Sequence, residues 1–376
     1  MKKISISLLI LCCYLSVISG NDSIPGSPFQ LTFVYPLGTS GVYSANNSYN
    51  FSFNIITGIT GGVDGIEIAG IINTNKYYNS GFQLAGIGNI NGSYNSGGQI
   101  GGIFNITGGY TNGAQMAGIC NIVGGSMTGA QIGGITNVSG DSVSGMQLAG
   151  IANIAGPCDG LQLAGITNIS GNNKVQIGGI GNIAENIDGA QISGIFNRAG
   201  HVKGFQLAGI VNICDSIDGI PLALVSFVRF NGYRRVDIWA NELFYANISY
   251  KIGIKQLYSI LSIGYRPGEV HNNIGLGVGL GTTTHLGKKS GLDLEAQWYQ
   301  INRNFWMDEE NFLTTLRLNY VQYLGNRVAL FAGPTLNLMN INYDSDAGEL
   351  VPEWALEFER SDRLFYWVGI NGGIRF

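Results

Sequence analysis

Side chains able to perform chemistry are few in this sequence, and they are scattered. His201, His271 and His285 are the only histidines, and no two are spaced as a zinc pair. Cys120, Cys158 and Cys214 fall at different offsets within a repeated phrase, so they read as small packing residues rather than a metal or disulfide set. Asp293 and Glu295 share a face of an alternating segment with Arg317 on the next one. Paired carboxylates can serve as acid and base, but a cation beside them points to mutual neutralisation inside a narrow barrel. The acidic stretch Asp344, Asp346, Glu349, Glu353, Glu357 and Glu359 matches no calcium-loop spacing and reads as a solvated loop. Gly275-x-Gly277-x-Gly279-x-Gly281 resembles a phosphate loop only superficially. It alternates like a strand and no helix follows, so its glycines are expected to leave room in a narrow lumen. No catalytic residue, cofactor or metal site is assigned.

What dominates instead is a repeat. An anchor recurs as Glu67, Gln83, Gln99, Gln115, Gln131, Gln147, Gln162, Gln176, Gln191 and Gln206, and fades at Pro221. Six residues after each anchor comes Asn: Asn73, Asn89, Asn105, Asn121, Asn137, Asn153, Asn168, Asn182, Asn197 and Asn212. The anchor spacing is 16 residues five times and 14 or 15 thereafter, with all variation between an Asn and the next Gln. Glycine at the third place after every anchor argues against a helix. Apolar residues at the first and fourth places (Ile132 and Ile135) argue against one straight strand. The phrase therefore predicts one coil of a β-solenoid, bent at that Gly, with its apolar side chains converging inward. Gln131, beside inward Ile132, is expected to face out, and Asn suits the second bend. Ten coils at ~4.8 Å per coil would make a rod of about 50 Å. Stacked Asn and stacked Gln would form amide ladders, serving either the polar needs of a narrow rod or a flat binding face.

The rest of the chain is read around this array. Residues 1–20 (Lys2-Lys3, an apolar run, then Ser19-Gly20) read as a secretory signal peptide, with a retained membrane helix as the alternative. Residues 28–60 hold two strands expected to cap the array. The solenoid is assigned to residues 61–231 and an antiparallel barrel to residues 232–376. Eight alternating segments are expected at 234–241, 244–253, 255–266, 273–286, 291–303, 312–324, 328–342 and 364–376. Short connections alternate with longer ones (267–272, 304–311 and 343–363), as in an outer-membrane barrel. That scheme puts the end of the solenoid on the periplasmic side. Trp239, Trp298, Trp306, Trp354 and Trp367 near strand ends favour a membrane barrel over a soluble one with a buried apolar face. The fold class is thus all-β, a solenoid followed by a barrel.

The G-x-Q-x-A/G-G-I-x-N-I phrase over residues 28–225, with the leading Phe29-Gln-Leu-Thr-Phe-Val-Tyr-Pro-Leu-Gly38, resembles uncharacterised surface-repeat proteins of Gram-negative bacteria. The resemblance implies a cell-envelope location and carries no catalytic residues. The expected function is that of a non-enzymatic, exported outer-membrane protein whose repeats form a scaffold or an adhesion surface. Its partners would be membrane lipid and a polysaccharide or protein ligand on the repeat face. A secreted carbohydrate-active solenoid and an outer-membrane transporter or channel are the alternatives. A net charge of −4 without a basic patch excludes nucleic acid as the favoured partner.

Overall fold

The computed structural model describes residues 24–268, 272–303, 311–325, 327–341, 350–357 and 364–376. The signal-peptide segment, Trp306, His271 and Asp344, Asp346, Glu349 and Glu359 of the acidic stretch lie outside the described residues. The chain is nearly all β: a parallel β-solenoid of about eleven turns, then a closed eight-stranded antiparallel barrel. Its contacts divide it into one unit ending at Gly194 and another beginning at Ile195. The described residues of the first unit form the solenoid. The second opens with the last coils and continues into the barrel.

In the first unit each coil contributes two strands, such as Met127–Gly133 and Thr136–Ser139. Equivalent positions stack in parallel register: Gln131 lies between Gln115 and Gln147, and Asn137 between Asn121 and Asn153. The two leading strands are Gly26–Val34 and Ser48–Ala69. They pair in parallel with one another, Gln30 beside Ser52 and Thr32 beside Asn54, so they belong to the stack they were expected to cap. Where the repeat shortens to 14 residues, the register slips between Cys158 and Leu161 and is regained at Gln162 opposite Gln176. Length variation is thus absorbed away from the fixed Gln-to-Asn block.

The expected facing is inverted. Gln131 and Asn137 are fully buried, while Ile132 and Ile135 are 37% and 41% exposed. The interior is lined by the anchor Gln, the Ala or Gly two places on, the Asn, and residues near the far edge such as Val123, Met127, Val143 and Cys158. Asn lies within a strand, as Asn121 does in Cys120–Val123, and is not at a bend. The physical reason is width. Two sheets whose inward residues are Gln, Asn and Ala can close tightly because the amides satisfy one another, whereas branched Ile side chains fit only outside.

Glycine has two separate uses in the coil. At the bend, a Cβ on Gly134 would lie 2.0 Å from the carbonyl oxygen of Gly118 in the preceding coil, so close approach excludes any side chain. Positive φ occurs five places earlier in the coil, two residues before the anchor, as at Gly129 (φ +117°).

The second unit begins with coil strands that include Phe196–Val202, Val211–Ile217 and Val225–Val228. Here Asn197 stacks on Asn212 and Asn212 on Ser226, while Gln206 meets Pro221, where the anchor is lost. The barrel strands are Tyr233–Asn241, Ala246–Ile254, Leu257–Arg266, Asn273–His285, Ser290–Arg303, Asn311–Tyr323, Ala329–Asn340 and Leu364–Arg375. Pairing of Asp237 with Arg375 joins the first to the last and closes the ring. The apolar parity of every strand faces outward, with Ile238, Ile248, Ile263, Leu318, Leu336 and Ile370 all exposed. Arg234 is the one charged side chain at an outward position of the described strands.

Two of the tryptophans expected near the outer rims point inward instead. Trp239 donates to Ser249 Oγ (2.8 Å) and Trp367 to Glu242 Oε1 (2.7 Å). Their parity is that of Asp237 and Arg375, which belong to the polar interior. Trp298 and Trp354 are exposed.

Gly134→Ala is expected to cost about 1–3 kcal/mol because the new methyl meets backbone rather than a movable side chain. Gly26→Ala, whose Cβ would find its nearest neighbour at 3.7 Å, should stay within about 0.5 kcal/mol of the parent. Thermal unfolding of the two variants in detergent checks both.

Candidate functional site

The polar interiors of the solenoid and the barrel are the two places where functional groups gather. In the first unit the Asn side chains form a continuous chain of hydrogen bonds. Asn54 Nδ2 donates to Asn73, and each Asn from Asn73 to Asn168 donates to the next, through Asn89, Asn105, Asn121, Asn137, Asn153 and Asn168 to Asn182, at 2.8–3.0 Å. From Asn73 onward the second N–H of each amide reaches the backbone carbonyl of the residue after the next Gln, as from Asn121 to Ile132 (2.8 Å) and from Asn137 to Leu148 (2.7 Å). One side chain therefore ties both strands of the following coil. In the second unit Asn197 donates to Asn212 (3.1 Å), and Asn212 donates to the Leu222 carbonyl (3.0 Å).

The Gln ladder runs the other way. Gln191 Nε2 donates to Gln176, and the chain descends through Gln162, Gln147, Gln131, Gln115 and Gln99 to Gln83 at 2.7–3.0 Å. Gln83 in turn donates to Glu67 Oε2 at 2.8 Å. The amide dipoles of the two ladders therefore oppose each other. Both are sealed from solvent, so neither forms the flat binding face that stacked amides suggested.

Glu67 replaces Gln where the Gln ladder ends. A terminal position that receives donors needs acceptors alone, and Asn54 (3.1 Å) and Ser52 (3.3 Å) also donate to it. Burial pushes its carboxyl up from the ordinary 4.5 to about 7, with the hydrogen bonds from Gln83, Asn54 and Ser52 working against that rise.

The barrel interior holds an ion network. Lys251 contacts Asp237 at 2.7 Å, Asp293 at 3.7 Å and Glu295. Arg317 meets Glu295 at 2.6 Å and lies 4.1 Å from the Trp239 ring centre. Arg375 bonds Asp237 through Nε (2.8 Å) and reaches Asp293 at 2.7 Å. Three cations face three carboxylates, all buried. The sequence placed Asp293, Glu295 and Arg317 together, and the structure brings them together. Asp237, Lys251 and Arg375 were missed, although each sits on the polar parity of its own strand. The glycines of the fourth strand do leave room for neighbours: a Cβ on Gly275 would strike Phe244, on Gly277 Tyr299, and on Gly281 Tyr258. Phe244 and Leu243 fold inward from the first connection and fill the lumen at that end.

The other candidates do not assemble. Cys158 and Cys214 are buried, which pushes their thiols up to about 11 and about 12, away from thiolate chemistry. Among the described residues no cluster of His, Cys, Asp and Glu has metal-binding geometry. The repeat charges Glu67, Lys174, Glu185, Arg198 and Lys203 are scattered along the array, with Lys174 paired to Asp159. No protein-family model, curated protein or solved structure matches the chain.

Asn121→Ala removes an acceptor from Asn105 and donors from Asn137 and the Ile132 carbonyl, so it should destabilise by about 2–4 kcal/mol. Ile135→Ala at the exposed corner should cost less than about 1 kcal/mol. Urea unfolding in detergent gives this order, and an apolar-cored solenoid would give the reverse. Glu67 makes a separate prediction. Between the unfolded carboxyl value near 4.5 and about 7, the native state holds a proton that the unfolded state has lost. Its contribution is therefore complete below pH 4.5 and falls by roughly 3 kcal/mol as pH rises through 7. Glu67→Gln, which does not titrate, should abolish that slope, as read from unfolding midpoints across pH.

Proposed function

We propose that this chain is a non-enzymatic cell-envelope protein whose barrel anchors it in an outer membrane and whose solenoid is a structural or contact-making scaffold. One observation carries the proposal. Apart from Arg234, the barrel's outward band is uncharged and apolar around a neutralised ionic interior, the reverse of what water would select. Apolar side chains such as Ile248 and Ile263, 58% and 57% exposed, are stable there if their solvent is lipid. An eight-stranded ring also leaves no unpaired strand edge, the condition for backbone to cross a bilayer as β-structure. The resemblance of the repeat to Gram-negative surface-repeat proteins agrees with the location.

The filled lumen favours an anchor over a transporter. Lys251, Arg317, Arg375 and their carboxylates occupy the centre, and Phe244 closes one end. An eight-stranded barrel has an interior about wide enough for side chains. Carboxylates locked in reciprocal ion pairs are poor proton-transfer groups, which favours a non-enzymatic role.

Fractionation of the producing cell tests the proposal. The protein is expected in the membrane pellet, resisting extraction by high salt and alkaline carbonate and released by detergent. Recovery as a soluble protein without detergent would overturn it.

A further inference from the structure

The solenoid shares the barrel's inversion, and its charges are segregated. From the residue before each anchor to the second residue after each Asn, the ten repeats contain two charged side chains, Glu67 and Arg198, and Glu67 is buried. The rest of each coil carries the other charges of the array, among them Asp141, Asp159, Lys174 and Asp188 in the first unit and Lys203 and Asp218 in the second. The coils therefore present one edge of outward Ile, Leu and Met and an opposite edge of Gly, Ser and Asn, with stacked Tyr78, Tyr94 and Tyr110 on the early coils and charges on the first and later ones. At the apolar corner, Ile135 in the first unit and Ile210 in the second are 41% and 52% exposed.

Within the second unit the apolar edge reaches the barrel wall. Ser259, on the outward parity of the third barrel strand, donates to the Ala223 carbonyl of the last coil at 2.6 Å. Outward Ile252 is 3% exposed, whereas outward Ile248 on the same strand is 58% exposed, so the coil covers part of the band that elsewhere lies open. Leu224, the corner residue of that coil, lines a cleft with Val278 and Leu280 of the fourth barrel strand. The contact is near the short connections of the barrel, beside the last apolar outward residues before Thr282 and Thr284. A coil that touches the outward band at this height shares its solvent.

We propose that the solenoid segment of the second unit is embedded in one membrane leaflet, its Ile-rich edge among acyl chains and its charged edge toward headgroups and water. It lies in the leaflet and does not span the bilayer. This rests on the barrel being a membrane anchor. The occupant of the apolar edge in this unit is lipid because that edge continues from the barrel's outward surface, which the anchor reading places in lipid. A stacked coil also meets the main requirement for entering hydrocarbon: its backbone groups bond to neighbouring coils and its interior amides bond to one another. Amphipathic helices lie at interfaces by the same division of faces, and here the division belongs to a β-stack.

Fluorescence quenching of the full chain in phospholipid vesicles tests the proposal. Single-cysteine variants Ile210→Cys, Asp218→Cys and Ile370→Cys, in a background with the native cysteines replaced by alanine, are labelled with an environment-sensitive dye. Nitroxide-bearing acyl chains report lipid contact, and iodide on both sides of the vesicle reports water. The Ile210→Cys label should lose most of its emission to the nitroxide and little to iodide, like the barrel control Ile370→Cys. The Asp218→Cys label should show the opposite. Iodide quenching at Ile210→Cys with Ile370→Cys still in lipid would overturn the proposal and leave the anchor intact. Iodide quenching of Ile370→Cys as well would remove the anchor reading and the proposal with it.

Discussion

Two opposed chains of side-chain amide hydrogen bonds are the constraint on which the solenoid depends. A buried primary amide has two donors and an acceptor to satisfy, and leaving one unmet costs about 1–3 kcal/mol. Stacking identical residues at the inter-strand spacing meets the need repeatedly, but each ladder then acquires a direction. Asn donates toward the C-terminus and Gln toward the N-terminus, so the two dipole rows cancel across the narrow interior. The polar core in turn fixes the tight width and the bare glycine corner, and it sends the branched side chains to the surface.

The barrel solves a related problem with charge. Its interior is small and polar, and the fixed alternation of strands delivers carboxylates and cations to the same layer. Breaking a buried pair typically costs about 3–5 kcal/mol because it leaves an uncompensated charge. The network Asp237, Lys251, Asp293, Glu295, Arg317 and Arg375 draws on five different strands. It therefore ties the closing strand to the centre of the ring. In both parts of the chain the specific interactions are internal and polar, and branched apolar side chains lie on the surface.

Much of this architecture was legible because it rests on periodicity. A fixed six-residue offset from Gln to Asn allows one strand-bend-strand block, and period-two alternation from Tyr233 onward gives eight strands. Alternation, however, does not say which parity faces in. Placing Ile132 inside and Gln131 outside followed the usual preference of water-soluble proteins, and the amide ladder reverses it. The inward Trp239 and Trp367 were misassigned by proximity to strand ends, although each shares parity with charged interior residues. Arg375 was missed because its partner Asp237 lies 138 residues away in sequence, a separation that ring closure removes, whereas Lys251 has Asp237 on the preceding strand and Glu295 44 residues on.

The confinement of length change to one corner has an evolutionary consequence. Because the Gln-to-Asn block is invariant and each block bonds to its neighbours in the same way, whole repeats are interchangeable parts. Recombination between misaligned copies would add or delete a coil while preserving both ladders and their directions. A frame of fewer residues, cut within the block, would leave amides without partners. Copy number is thus the cheap variable in this design, and Glu67 marks one position that such exchange must leave in place, since it is where the Gln row is brought to an end.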